Sequence, residues 1–201
     1  TQERQREVGD ELYNDYSTHR IELIHHLVKE CGQPEDQAIH IAQRILDRII
    51  FIAFCEDRAL LPEGIISRAY KELPPFPKVV NPRWQNFKGL FEAVDKGDEN
   101  SGIPAYNGGL FRDDPAIDNL ELDDKWTHFF HSVSRYDFRD EVNVDVLGHL
   151  FERSVTELEK LRVVGLFGAQ AGGDGQPAMP KSAQRKRFGI YYTPPEFTGF
   201  I

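Results

Sequence analysis

Apolar positions recur at helical spacing over most of this chain. Leu12, Tyr16, Leu23 and Leu27 fall near one side of a helix predicted from Gln5 to Cys31, with Gly32 as its stop. Pro34, Glu35 and Asp36 predict the start of a second helix, with proline and acids in the first turn. It runs to about Arg58. Ile41, Ile45, Ile49 and Ile52, joined by Leu46, Ile50, Phe51 and Phe54, make it apolar nearly all round. Such a helix belongs inside a core. Shorter helices are predicted over Gly64–Leu73, Trp84–Val94 and Lys125–Ser134, the last capped by Asp123. Asn143 caps a final strong helix, Val144 to about Arg162, striped by Leu147, Leu150, Phe151, Val155, Leu158 and Leu161. Pro74, Pro75, Pro77 and Pro82 force an extended connection, and Asn107-Gly108-Gly109 reads as a turn that tucks Leu110 and Phe111 toward the core. No sustained two-residue alternation appears. The pattern predicts a mainly α domain packed around the Ala38–Phe54 helix.

The pattern breaks after that. Gly165 to Ala183 holds glycine, alanine and proline with few large apolar residues, a composition that predicts a linker. It lacks the Gly-Lys-Ser/Thr of a phosphate-binding loop. Lys181, Arg185, Lys186 and Arg187 then place four cations within seven residues without an acid, the best local candidate for DNA phosphate contact. Thr193 and Glu196 have capping-box spacing, and Pro194 falls at the first helical position. Phe197, Phe200 and Ile201 begin an apolar face. The expected organisation is a helical connector domain over 1–163, a flexible basic-ended linker over 164–187, and the truncated start of another domain over 188–201.

Composition narrows the class only a little. With 201 residues, 40% apolar and 28% charged, the chain is ordinary globular protein, long enough to bury a core. A net charge of −9 excludes a surface that binds nucleic acid everywhere, though not a local basic strip. Cys31 and Cys55 show no bridge or metal spacing, which predicts a reducing, cytoplasmic setting. No signal peptide or membrane-length apolar run is visible, and a monomer is expected.

Candidate chemistry is sparse. His25 and His26 are adjacent, so on a helix they point about 100° apart and make a poor chelate. Arg44, Arg48, Glu56, Asp57 and Arg58 interleave opposite charges, which favours an ion-pair network joining neighbouring elements over DNA contacts. Asp123-Asp124-Lys125, with Asp113 and Asp114 upstream, invites comparison with metal-dependent nucleases, which need carboxylates for Mg²⁺ and a lysine near the attacking water. The alternative is that Asp123 is a helix cap. His128 and His131 share a helix at i, i+3 and read as packing residues. No catalytic or metal-ligating residue is assigned to the chain itself.

Gly189-Ile190-Tyr191-Tyr192-Thr193-Pro194-Pro195 resembles the Tyr-Thr-Pro segment that opens the methyltransferase domain of adenine-specific DNA methyltransferases. The likeness is closest to those fused to a nuclease in single-chain, type IIG (Eco57I-like) restriction-modification enzymes. Arg48 to Pro62, Tyr106-Asn107-Gly108-Gly109-Leu110-Phe111 and Leu147-Gly148-His149-Leu150-Phe151-Glu152 resemble the helical connector preceding that domain. The resemblance implies S-adenosylmethionine as the parent's cofactor, with Tyr191, Tyr192, Thr193 and Pro194 over its pocket. It implies double-stranded DNA as partner, and Mg²⁺ for a nuclease elsewhere in the parent. Val79-Val80-Asn81-Pro82-Arg83-Trp84 resembles the Asn-Pro-Pro-aromatic catalytic loop of the same enzymes, except that Arg83 replaces the second proline. The simpler reading has Pro82 end a loop before a helix. Two other functions stay open: a structural or protein-interaction domain, and a minimal metal-dependent nuclease using Asp123 and Lys125.

Overall fold

A computed structural model describes residues 1–106 and 108–164. The first helix, Gln2–Lys29 (α1), lies against the second, Glu35–Asp57 (α2), across a turn in which Gly32 takes a φ of +67°. All four apolar residues expected on the inner side of α1 are buried, together with Val8, Tyr13 and Ile24. α2 is the axis of the core. It touches α1, three shorter helices and a 3-10 turn at Gly109–Phe111. Ile41, Ile45, Ile49, Ile50 and Ile52 are all wholly buried. Each such side chain contributes about 1.5–3 kcal/mol relative to exposure.

The charged residues of α2 do join neighbouring elements, but mostly through backbone groups. Arg48 is buried and donates to the carbonyls of Leu110 at 2.7 Å and Arg112 at 2.9 Å, with its guanidinium 5.2 Å from the Phe91 ring centroid and 5.7 Å from that of Phe111. Arg44 pairs with Asp114 at 3.1 Å and donates to the Gly109 carbonyl at 2.7 Å. Glu56 accepts from the N–H groups of Gly64 and Ile66, which fixes the start of the helix Ile65–Lys71 (α3). Asp57 accepts from the Phe138 N–H, and Arg58 donates to the Phe138 carbonyl. A guanidinium or carboxylate that satisfies a loop's backbone groups removes the cost of burying them.

The fourth helix, Pro82–Lys96 (α4), starts at Asn81, whose φ of 51° is left-handed and whose own side chain makes no cap. The cap comes from far along the chain. Asp124 accepts from the N–H groups of Arg83 at 3.2 Å and Trp84 at 2.9 Å. Replacing Asp124 with alanine is expected to cost about 1 kcal/mol, a fall of roughly 3 °C in Tm for a chain of this size. A thermal melt in which Asp124→Ala matches the parent chain would remove this cap from the account.

Three pieces were not expected: a 3-10 turn at Glu99–Ser101 capped by Asp98, the short helix Pro115–Asp118 (α5), capped by Asp114, and a 3-10 turn at Asp124–Trp126 capped by Asp123. The third leads into Thr127–Val133 (α6), shorter than the single helix expected there. The last helix is Val144–Val164 (α7). Among the described residues the one β pairing is an isolated bridge between Asp98 and Ile103, so the mainly α expectation holds. The chain divides into two compact units, Thr1–Asn143 and Val144–Ile201. Within α7, Leu147, Leu150 and Phe151 of the expected stripe are buried, while Val155 and Leu158 are half-buried.

Candidate functional site

Several of the residues singled out in the sequence lie outside the described part of the chain. They are the expected cofactor-facing set Tyr191, Tyr192, Thr193 and Pro194, the basic set Lys181, Arg185, Lys186 and Arg187, the linker, and Asn107 of the Gly-Gly turn.

The nuclease-like acids are described, and the fold scatters them among local tasks. Asp123 accepts from the Lys125 N–H at 2.8 Å, while Asp124 caps α4. Asp114 binds His40 at 2.9 Å and Arg44 at 3.1 Å and caps α5; Asp113 sits 3.5 Å from Lys96. Burial pushes the Asp114 carboxyl up, but the bonds from His40 and Arg44 outweigh it and leave the net shift downward. Lys125 lies over the Trp126 ring at 5.6 Å. Among the described residues no three His, Cys, Asp or Glu side chains are grouped to hold a metal ion. His26 packs against Trp126, with ring centroids 5.0 Å apart, and its Nε2 lies 3.7 Å from Cys31 Sγ. Burial, then the Lys125 charge, lowers its pKa.

The Asn-Pro-Arg-Trp stretch is a helix start. Trp84 has no exposed surface, its indole N–H donates to the Leu120 carbonyl at 2.7 Å, and Phe91 and Phe130 pack against its ring. A ring so enclosed is closed to an extruded base.

Two clusters emerge that sequence reasoning did not assemble. The first is interior. Tyr16 donates to Asp47 at 2.8 Å, Gln43 donates to both Asp47 oxygens at 3.0 Å and also to the Tyr16 hydroxyl, and buried Arg20 lies over the Tyr16 ring at 5.4 Å. Burial pushes the Asp47 carboxyl up to about 7, against the two hydrogen bonds and the charges of Arg20 and Arg44. This cluster ties α1 to α2.

The second lies at the surface where α3, α4 and α6 meet. Arg83 donates from Nε to the Tyr70 carbonyl at 2.8 Å, and its guanidinium stands 4.3 Å from the Tyr70 ring centroid. His131 stacks on the same ring at 4.4 Å and 5°, and His128 Nδ1 hydrogen-bonds the Tyr70 hydroxyl. Burial lowers the His131 pKa, followed by the positive charges of Lys71, Arg135 and Arg83. Lys71 and Arg135 are exposed. The loop joining α3 to α4 carries Phe76, Val79 and Val80 at 89%, 54% and 75% exposure. His128, His131 and Arg83 were each visible in the sequence. Tyr70 and Lys71 gave no signal, because what unites the group is a three-helix junction.

Along its sequence the chain is similar to the "Putative type II restriction enzyme and methyltransferase RM.MjaORFECS2P" of Methanocaldococcus jannaschii, at 28% identity over 182 residues. The match covers 78% of this chain and 14% of that protein. No family model and no solved structure matches.

Proposed function

We propose that this chain is part of a DNA restriction-modification enzyme that transfers a methyl group from S-adenosylmethionine to adenine, with a helical unit that links a nuclease to the methyltransferase. The relative of similar sequence carries the reading, since its name joins a restriction enzyme to a methyltransferase and this chain spans about a seventh of its length. The motifs add to it. Arg48–Pro62 forms the C-terminal part of α2 and the turn after it, and Leu110–Phe111 is the turn held by Arg48. Those residues lie in the core and tie the Gly109–Phe111 turn to α2, which supports a structural role for the motifs.

In this reading Tyr191, Tyr192, Thr193 and Pro194 lie over the cofactor, and Thr193 caps the helix that follows. The cofactor supplies the methyl group when bound; these residues would contribute one wall of its pocket. A wall alone buries too little ligand for useful affinity. Titration of S-adenosylmethionine into this chain by calorimetry is expected to give no measurable heat of binding. The full-length protein should methylate adenine in duplex DNA, and Thr193→Ala should weaken its cofactor binding. Micromolar affinity in this chain would place the whole pocket within it and overturn the connector assignment. A full-length protein that methylates no DNA would overturn the enzyme assignment.

A further inference from the structure

We propose that the α3–α4–α6 corner is a DNA-binding surface, in which Lys71, Arg83 and Arg135 contact backbone phosphates and Phe76 enters the adjoining groove. The inference rests on the restriction-modification reading, from which it takes DNA as the partner, and adds where on this chain the DNA lies.

Three observations converge. The chain as a whole carries −9, yet the full charges bearing most on His131 are the cations Lys71, Arg135 and Arg83. Two acids lie near the corner, Glu72, paired with Arg68 at 3.4 Å, and Asp124, bonded to the backbone N–H groups of Arg83 and Trp84; neither is among the charges bearing most on His131. A local positive field on an acidic protein is what phosphate contact needs. Next, Arg83 is ordered in advance. Its Nε is fixed on the Tyr70 carbonyl and its plane lies over the Tyr70 ring, so binding loses less side-chain entropy than a free surface arginine would. Last, the loop between Lys71 and Arg83 exposes an aromatic side chain almost completely, which water alone does not favour. Phe76 is five residues from Lys71, so it stays within about 18 Å of it. Apolar side chains held out beside cations are what groove-inserting proteins present to DNA.

The test uses the whole chain and a short fluorescein-labelled duplex, with anisotropy read from about 50 to 200 mM salt. Lys71→Ala with Arg135→Ala is expected to weaken binding about tenfold at the low end and to flatten the salt slope by roughly 2, one per phosphate lost. Both side chains are exposed, and an unchanged circular-dichroism spectrum should confirm the fold. Phe76→Ala is expected to weaken binding with the slope unchanged, because no charge is lost. If Phe76→Ala binds as well as the parent chain, the groove contact is wrong. If the double variant keeps full affinity while Ala at Lys181, Arg185, Lys186 and Arg187 abolishes it, the corner is wrong and the later basic stretch holds the DNA. A chain that binds no DNA even at low salt overturns the surface altogether. Methylation by the full-length protein, scored separately, then decides whether the enzyme reading survives.

Discussion

Trp84→Ala is expected to destabilise the Thr1–Asn143 unit by about 3–5 kcal/mol, the range for deleting a large aromatic from a core. The indole has no exposed surface, packs against Phe91 and Phe130, and leaves the Leu120 carbonyl without its 2.7 Å donor when removed. For a chain of this size the loss corresponds to a fall of roughly 10 °C in Tm. Trp84→Phe fills most of the same volume and forfeits the N–H bond, so it should cost less, about 1–3 kcal/mol. Denaturant unfolding measures both. The outcome also bears on function, because Trp84 sits where the sequence resembles a base-stacking catalytic loop. A Trp84→Ala chain that keeps its stability, in a full-length enzyme that loses methylation, would restore the catalytic role. The enclosed ring predicts the reverse.

Asp47→Ala should also be destabilising, by about 1–3 kcal/mol, because it removes a buried acceptor of the Tyr16 hydroxyl and the Gln43 amide between α1 and α2. A pH series separates this group from every other. Burial raises the folded-state pKa of Asp47 from 3.8 to about 7. Between those values the folded chain therefore holds a proton that the unfolded chain has released. The resulting stability is complete below about pH 4 and is lost as pH rises through 7. Asp47→Asn keeps an acceptor for Tyr16 and cannot titrate. The stability of the unaltered chain minus that of Asp47→Asn should then decline from pH 4 to pH 8. Asp114, whose net shift is downward, acts with the opposite sign but is common to both chains and cancels. A difference that stays level, or rises, across that window would mean Asp47 is ionised in the fold.

Much of the architecture was written in local order. Apolar residues spaced for a helix have one stable way to leave water, so α1, α2 and α7 begin and end within a few residues of where periodicity and capping placed them. Ile41, Ile45 and Ile49 marked α2 as buried before any neighbour was known. The glycine and proline stops worked for the same reason, since they act on the backbone at their own positions. α5 escaped because four residues carry no period to read.

The tertiary structure decided what the polar residues do. Arg48 and Arg58 looked like members of an ion-pair network because sequence shows charges and not carbonyls; the fold gave them the backbone of Leu110, Arg112 and Phe138. Asp124, one of the acids beside Lys125 that invited comparison with a nuclease, became the cap of a helix that begins 42 residues before it, at Pro82. Tyr70, Lys71, Arg83 and His131 come from three helices and Arg135 from the turn after the last of them, and they meet only once those helices pack. A helix's apolar face is fixed by residues three and four apart along one chain, whereas a polar side chain's partner is whatever the packed fold brings within about 3 Å.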